Sequence, residues 1–209
     1  MIKNKKKYSI ILNGEFPKNN QIINQIKSSD FLIATDGSAN SLIDRNIIPN
    51  IIIGDLDSYK PEKDYNIEVL PIVDQSKTDF QKSLEWCVES DIKELTIFAI
   101  SGKSEDHFLS NLYIINEFND IIKWKAFTDF TTITPCIGEK KFESFEGQKV
   151  SLFTFEDESI INSKNLEYEL NNYSLVPSAK AVRNISNGNN FTIDCSSYLF
   201  VFQSVLKTS

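Results

Sequence analysis

The chain has 209 residues, 41% hydrophobic and 24% charged, a balance that excludes wholesale disorder and leaves room for one large domain or two modest ones. Its 22 basic and 29 acidic side chains give a net charge of -7, which disfavours a general nucleic-acid binder, because that activity needs a basic stripe against phosphates. Three scattered cysteines, Cys87, Cys136 and Cys195, form no CxxC pair. They point to neither a disulfide framework nor a zinc site and fit a reducing cytoplasm. No apolar window approaches the ~20 residues of a membrane span, so no membrane partner is expected. The basic run from Lys3 to Lys7 reads as a solvated end before a first strand.

In chain order, apolar runs that predict strands alternate with helically spaced segments. The strands are Tyr8–Asn13, Phe31–Thr35, Ile51–Ile53, Glu68–Ile72, Leu95–Ile100 and Trp124–Thr128, and the helices Asn20–Ser28, Ser38–Asp44, Thr78–Glu89 and Asp106–Glu117. Phe80, Leu84 and Val88 share one face of the third helix, and Phe108, Leu112 and Ile115 one face of the fourth. Such alternation predicts an α/β fold, with a mostly parallel, Rossmann-like sheet flanked by helices and ligands bound at the carboxyl ends of its strands. The pattern changes between Thr134 and Gly147, and the boundary is set at 138/139. Beyond it, short alternating runs at Lys149–Phe155, Asn165–Leu170, Ala181–Ile185, Phe191–Cys195 and Tyr198–Gln203 predict a small all-β sandwich. Residues 1–138 are thus expected to form a nucleotide-binding catalytic domain and 139–209 a β domain.

Aspartates recur where these strands end. Asp36 follows FLIAT, Asp55 and Asp57 follow IIIG, Asp74 and Asp79 follow VLPIV, and Asp106 follows IFAIS. In a parallel sheet those ends share one edge, so an acidic rim is expected. Crowded carboxylates repel one another unless a cation binds, and Mg²⁺ suits hard oxygen ligands that also bridge to phosphates. If Asp55-Leu56-Asp57 stays extended, both carboxylates face one side, and Gly54 lets the backbone come close to a ligand. Taken singly, Asp36 and Asp106 are as well explained as helix caps, and DxD alone also occurs in metal-dependent glycosyltransferases and dehalogenase-type phosphatases. Four acidic strand ends together favour function. Lys77 and Lys103 are nearby bases, each either a phosphate contact or a surface lysine. His107, the single histidine, is either a ligand contact or a capped ring. There is no Walker GxxxxGK[ST] loop and no nucleophile elbow.

The motifs, taken in order, resemble the thiamine pyrophosphokinase (thiamin diphosphokinase) family. Asp36-Gly37-Ser38-Ala39-Asn40 is similar to its D-G-G-A-N, and NIIIGDLDS from Asn50 to Ser58 to its D-x-I-I-G-D-x-D-S. Asp74-Gln75 with Thr78-Asp79 resembles D-Q-x-x-T-D, and Gly102 with Asp106-His107 and Leu109-Ser110-Asn111-Leu112 resembles G-x-x-x-D-H-x-L-x-N-L. Val150-Ser151-Leu152, Leu166 with Tyr168 and Leu170, and Ser186-Asn187 echo its C-terminal elements. Ser38 stands where the family has a second glycine. Ser104 stands where it has arginine, with Lys103 one step earlier, and Asn165 and Glu167 stand where glycine and lysine are usual.

The resemblance implies transfer of a pyrophosphoryl group from ATP to the thiamine hydroxyl, giving thiamine diphosphate and AMP, in a homodimer with sites at the subunit interface. It implies that Asp55, Asp57 and Asp79 hold Mg²⁺ directly or through water, supported by Asp36, with Asp79 a possible base. Asp36, Thr78, Lys103, Asp106 and His107 would serve the nucleotide. Gln75 would bond the aminopyrimidine, and Ser186 with Asn187 would close the thiamine pocket. A binding sensor that has lost turnover and a DxD glycosyltransferase are the competing readings. The glycosyltransferase leaves Asp74-Gln75-x-x-Thr78-Asp79 unexplained. A dehalogenase-type phosphatase would need Gly-Thr/Ser after its nucleophile, where Asp57 is followed by Ser58-Tyr59.

Overall fold

The computed structural model describes residues 6–60 and 65–205, so the start of the basic run, Lys3 to Lys5, lies outside the described residues. Two compact units divide the chain, Met1–Asp129 and Phe130–Ser209.

The first unit alternates strand and helix as its spacing demands. In chain order it contains β1 (Tyr8–Ile11), α1 (Asn20–Lys27), β2 (Phe31–Thr35), α2 (Asp36–Ile43), β3 (Ile51–Gly54) and β4 (Glu68–Pro71). There follow α3 (Asp79–Glu89), β5 (Glu94–Phe98), α4 (Glu105–Asn116) and β6 (Lys123–Phe127). The six strands are all parallel, in the order β6-β5-β1-β2-β3-β4. Continuous apolar runs occupy the middle: Ile51, Ile52 and Ile53 are wholly buried, as a strand covered on both faces requires. β4 lies at the edge, where Glu68 and Val69 are exposed and Pro71 is tolerated. Each helix turns an apolar stripe inward. That of α1 is Ile22 and Ile26, and that of α3 is Phe80, Leu84 and Cys87, so the inward face passes through Cys87 rather than Val88.

β1 pairs with β2 on one side and β5 on the other, which makes the β1/β5 border the point where the chain reverses direction across the sheet. Ligand crevices form outside such a point. Here the pairing continues past the strands: Leu12 N–H donates to the Phe98 carbonyl (3.0 Å), Gly14 N–H to Ala99 (2.9 Å) and Glu15 N–H to Ser101 (2.8 Å). Gly14 is required by that approach, since a Cβ there would sit 2.1 Å from the Ala99 carbonyl oxygen.

The second unit is all β and antiparallel, with β7 (Thr131–Glu143), β8 (Lys149–Phe153), β9 (Ser159–Lys164), β10 (Tyr173–Leu175), β11 (Asn184–Ile185) and β12 (Asn190–Ser204). β12 pairs along its length with β7, and its register shifts between Cys195 and Leu199. Before that irregularity its other neighbour is β9; after it, β8. The expected pair of strands Phe191–Cys195 and Tyr198–Gln203 is therefore one bent strand, as a bulge produces. The core includes Phe142, Leu152, Ile161, Leu199 and Val201, with Phe142 stacked on Phe191 at 5.1 Å. Asn165–Leu170 is not a strand, because Asn165 takes φ 63° and Leu170 folds back to accept from Ser163 N–H at 2.8 Å. Arg183 at φ 61° likewise shortens the expected Ala181–Ile185 run. The 138/139 boundary falls inside β7, which pairs with β12 on both sides of Gly138.

Candidate active site

The carboxyl ends of β2, β3 and the segment entering α3 converge. Asp36 opens α2, Asp55 follows β3, and Asp79 opens α3. Each offers a carboxylate oxygen, and these lie within 4.8 Å of one another. Gly54 makes the convergence possible, since a Cβ there would meet Asp36 Cβ at 2.6 Å and Asp79 Cγ at 3.0 Å. Asp36 is buried; its Oδ2 accepts from Ser58 N–H at 3.0 Å, while Oδ1 has no hydrogen-bond partner. Burial first, and the Asp79 charge in addition, push the Asp36 carboxyl above its ordinary value against the pull of the Ser58 amide. Burial also raises Asp79, opposed by Lys82. Asp55 is held low, chiefly by the Gln75 amide, whose Nε2 donates to Oδ2 at 2.9 Å. An unpartnered buried oxygen within three converging hard donors is the arrangement that fits a divalent cation such as Mg²⁺.

Asp57 stands outside this trio. Leu56 takes φ 67° and packs toward the core, which breaks the expected extended alternation. Asp57 is exposed and accepts from its neighbour Ser58 Oγ at 2.8 Å. Asn40 fixes the same loop, donating from Nδ2 to the Ser58 carbonyl at 2.8 Å.

Beside the trio a cavity of about 670 Å³ opens over the β1/β5 border. Gln75, Thr78, Lys103, Asp106 and His107 all line it with Asp55 and Asp79, so most residues expected at the nucleotide lie together. Thr78 caps α3, accepting from Gln81 N–H at 3.2 Å, and so fixes where Asp79 begins the helix. Asp106 accepts from Ser104 Oγ and from His107 N–H, and those bonds hold its carboxyl low.

Two lining residues escape the sequence reading. Lys82 is 3% exposed and pairs through Nζ with Asp79 Oδ1 at 3.1 Å. The i, i+3 spacing from Asp79 was the available signal. Asn13, after β1, accepts from Lys103 Nζ at 2.6 Å. In the second unit Ser186 is fully buried, its Oγ within 2.7 Å of Ser144 Oγ, while Asn187 is exposed and its N–H donates to the Asn165 carbonyl at 2.9 Å.

Residues 23–126 match the thiamin pyrophosphokinase catalytic domain, and residues 131–202 match the thiamin pyrophosphokinase substrate-binding domain. The chain belongs to the thiamin pyrophosphokinase family. Thiamin pyrophosphokinase 1 of Caenorhabditis elegans is 29% identical over 185 residues, spanning 79% of this chain and 75% of the relative. The thiamine pyrophosphokinase of Bacillus subtilis (strain 168) is 32% identical over 89 residues, 40% of this chain and 42% of that one. Among solved structures, a thiamine pyrophosphokinase from Bacillus subtilis superposes with TM-score 0.81 at 22% identity, covering 95% of this chain and 99% of that one. The thiamin pyrophosphokinase of Candida albicans superposes with TM-score 0.79 at 17% identity, covering 96% and 90%. The two family segments follow the two units, with the acidic trio inside the catalytic one.

Proposed function

We infer that this chain is a thiamine diphosphokinase, transferring a pyrophosphoryl group from ATP to the hydroxyl of thiamine. The observation that carries the reading is the trio of Asp36, Asp55 and Asp79 beside the 670 Å³ cavity, within the segment that matches the family's catalytic domain.

The thiamine oxygen forms a bond to the β-phosphorus, the bond from that phosphorus to the α-phosphate oxygen breaks, AMP departs, and the hydroxyl proton is released. Such transfers depend on positioning and charge neutralisation rather than on a covalent enzyme intermediate. Asp36, Asp55 and Asp79 would hold Mg²⁺, with Asp57 within reach through water. When bound there, the ion would offset phosphate charge. Lys82 holds the Asp79 carboxylate in place, and Lys103 faces phosphate where the family has arginine one residue later. Thr78 fixes the start of α3 beside the phosphates. Asp106 and His107 serve the nucleotide side, and Gln75 bonds both Asp55 and the aminopyrimidine.

The reading assigns thiamine binding to the second unit in a homodimer, with Asn187 touching the substrate and Ser186 fixing its turn. Three buried free thiols suit the cytoplasm. Among the described residues no helix is long and apolar enough to cross a membrane.

Purified chain given Mg²⁺ and ATP should release AMP only when thiamine is present, and Asp55→Asn should lower kcat/KM by about 10²–10³, the scale of a lost transition-state charge contact. Thiamine binding with no AMP release would leave a sensor, and an Asp55→Asn variant within tenfold of the parent would remove Asp55 from the site.

A further inference from the structure

Three lysines line the cavity, and they are not electrostatically equivalent. Lys77 pairs with Glu85 at 2.8 Å and Lys82 with Asp79 at 3.1 Å, so each has a carboxylate to offset it. Lys103 bonds instead to a neutral amide, Asn13 Oδ1, at 2.6 Å, and among the described residues no carboxylate lies within ion-pair distance of it. A hydrogen bond to an amide aims the ammonium while leaving its full charge for an anion. A carboxylate at the same place would cancel that charge.

The amide has its own seat. Gly37 lies against it so closely that a Cβ there would fall 2.1 Å from Asn13 Nδ2 and 2.6 Å from its Cγ. With Nδ2 against Gly37, Oδ1 is left facing Lys103. Gly14, next in the chain, is bound to the Ala99 carbonyl, so the backbone that carries Asn13 is anchored to the sheet.

We propose that Asn13 is the positioning residue for a phosphate-binding Lys103, and that Gly37 sets the orientation of its amide. This rests on the nucleotide reading above. It adds a reason for a lysine at 103 to serve with Ser104 beside it: the neutral partner substitutes for the geometric rigidity that a guanidinium fork would bring.

A binding cycle on the full chain tests it, using Mg²⁺ with a non-hydrolysable ATP analogue in calorimetry at two salt concentrations. Asn13→Ala should weaken binding about tenfold, as loss of aim at one charged contact does, and Asn13→Asp should weaken it more, because its carboxylate neutralises Lys103. Asn13→Asp should also flatten the salt dependence. In a Lys103→Met background Asn13→Ala should fall within about twofold, the mark of two residues acting as one unit. Gly37→Ala should mimic Asn13→Ala, and adding it to Asn13→Ala should cost nothing more, because the group it strikes is gone. The KM for thiamine should stay at the parent value throughout.

Equal losses from Asn13→Ala with and without Lys103 would overturn the proposal, as would an Asn13→Asp variant that binds like the parent. A parent that binds nucleotide and releases AMP but shows additive losses overturns this inference alone. A parent that binds no nucleotide overturns the function with it.

Discussion

Asp36 has one carboxylate oxygen on the Ser58 amide and the other buried without a partner. Both Asp36 and Asp79 sit above their ordinary value of 3.8, chiefly because they are buried. The native state therefore holds protons that the unfolded chain has already released. Their contribution to stability is full below pH 3.8 and is lost as pH rises through their native values, so the cation-free fold should weaken over that window. Asp36→Asn should flatten that slope, and at neutral pH without metal it should raise Tm by about 2–4 °C, the change that ~1 kcal/mol makes in a chain of this size. Mg²⁺ should raise the Tm of the parent and leave that of Asp36→Asn nearly unmoved. A variant that melts below the parent, or that still gains from Mg²⁺, would take Asp36 out of the cation site. The position of Asp36 after a strand was legible in the sequence. That Asp36 rather than Asp57 completes the trio was not, because that depends on the left-handed Leu56 turning Asp57 away, a conformation that glycine or asparagine would advertise and leucine does not.

α3 carries its cap and two residues of the candidate site on one short surface. Thr78 caps it, Asp79 begins it, and Lys82 returns one turn later to the same carboxylate. Thr78→Ala should cost about 1 kcal/mol of stability, the usual value of such a cap, and should lower kcat more than that loss explains because the start of the helix carries Asp79. Chemical denaturation and steady-state kinetics on one preparation separate the two. A stability loss with unchanged kcat would confine Thr78 to capping. Helices of this unit could be read from apolar spacing because their stripes are one-sided, and α1 and α3 also carry side-chain caps, as at Asn19, which accepts from Gln21 N–H at 2.8 Å. The β unit was harder to read. β7 contains Pro135 and Gly138, which look like strand breakers, yet it is one strand because its irregularity lies opposite that of β12. Ser159–Lys164 carries too few apolar residues to signal a strand, yet it pairs with β10 and β12 and turns Ser159, Ile161 and Ser163 inward.

At the scale of the whole molecule, the two units divide the proposed labour between phosphate and thiamine. Mixing Asp55→Asn subunits with Asn187→Ala subunits should restore roughly a quarter of parental activity if each site draws on both subunits of a homodimer, because every mixed dimer then keeps one intact site. Demonstrably mixed dimers with no recovery would place both residues in one subunit's site. The order of the motifs made the two-unit plan legible, whereas Asn13 was not, because its partner lies 90 positions away and only the sheet brings them together. The backbone bonds that carry β1 and β5 past their strand ends have a further consequence, in the exchange of amide hydrogens with solvent. Leu12 and Gly14 lie beyond the end of β1, but their N–H groups extend the ladder of two central strands. They should exchange only when the sheet itself opens, at the rate of the β1 and β5 amides, while Ser76, whose amide is held by the neighbouring Asp74 side chain, should exchange far sooner. The floor of the cavity would then be as slow as the core and its rim as fast as a turn, so substrates would enter by motion of the rim alone.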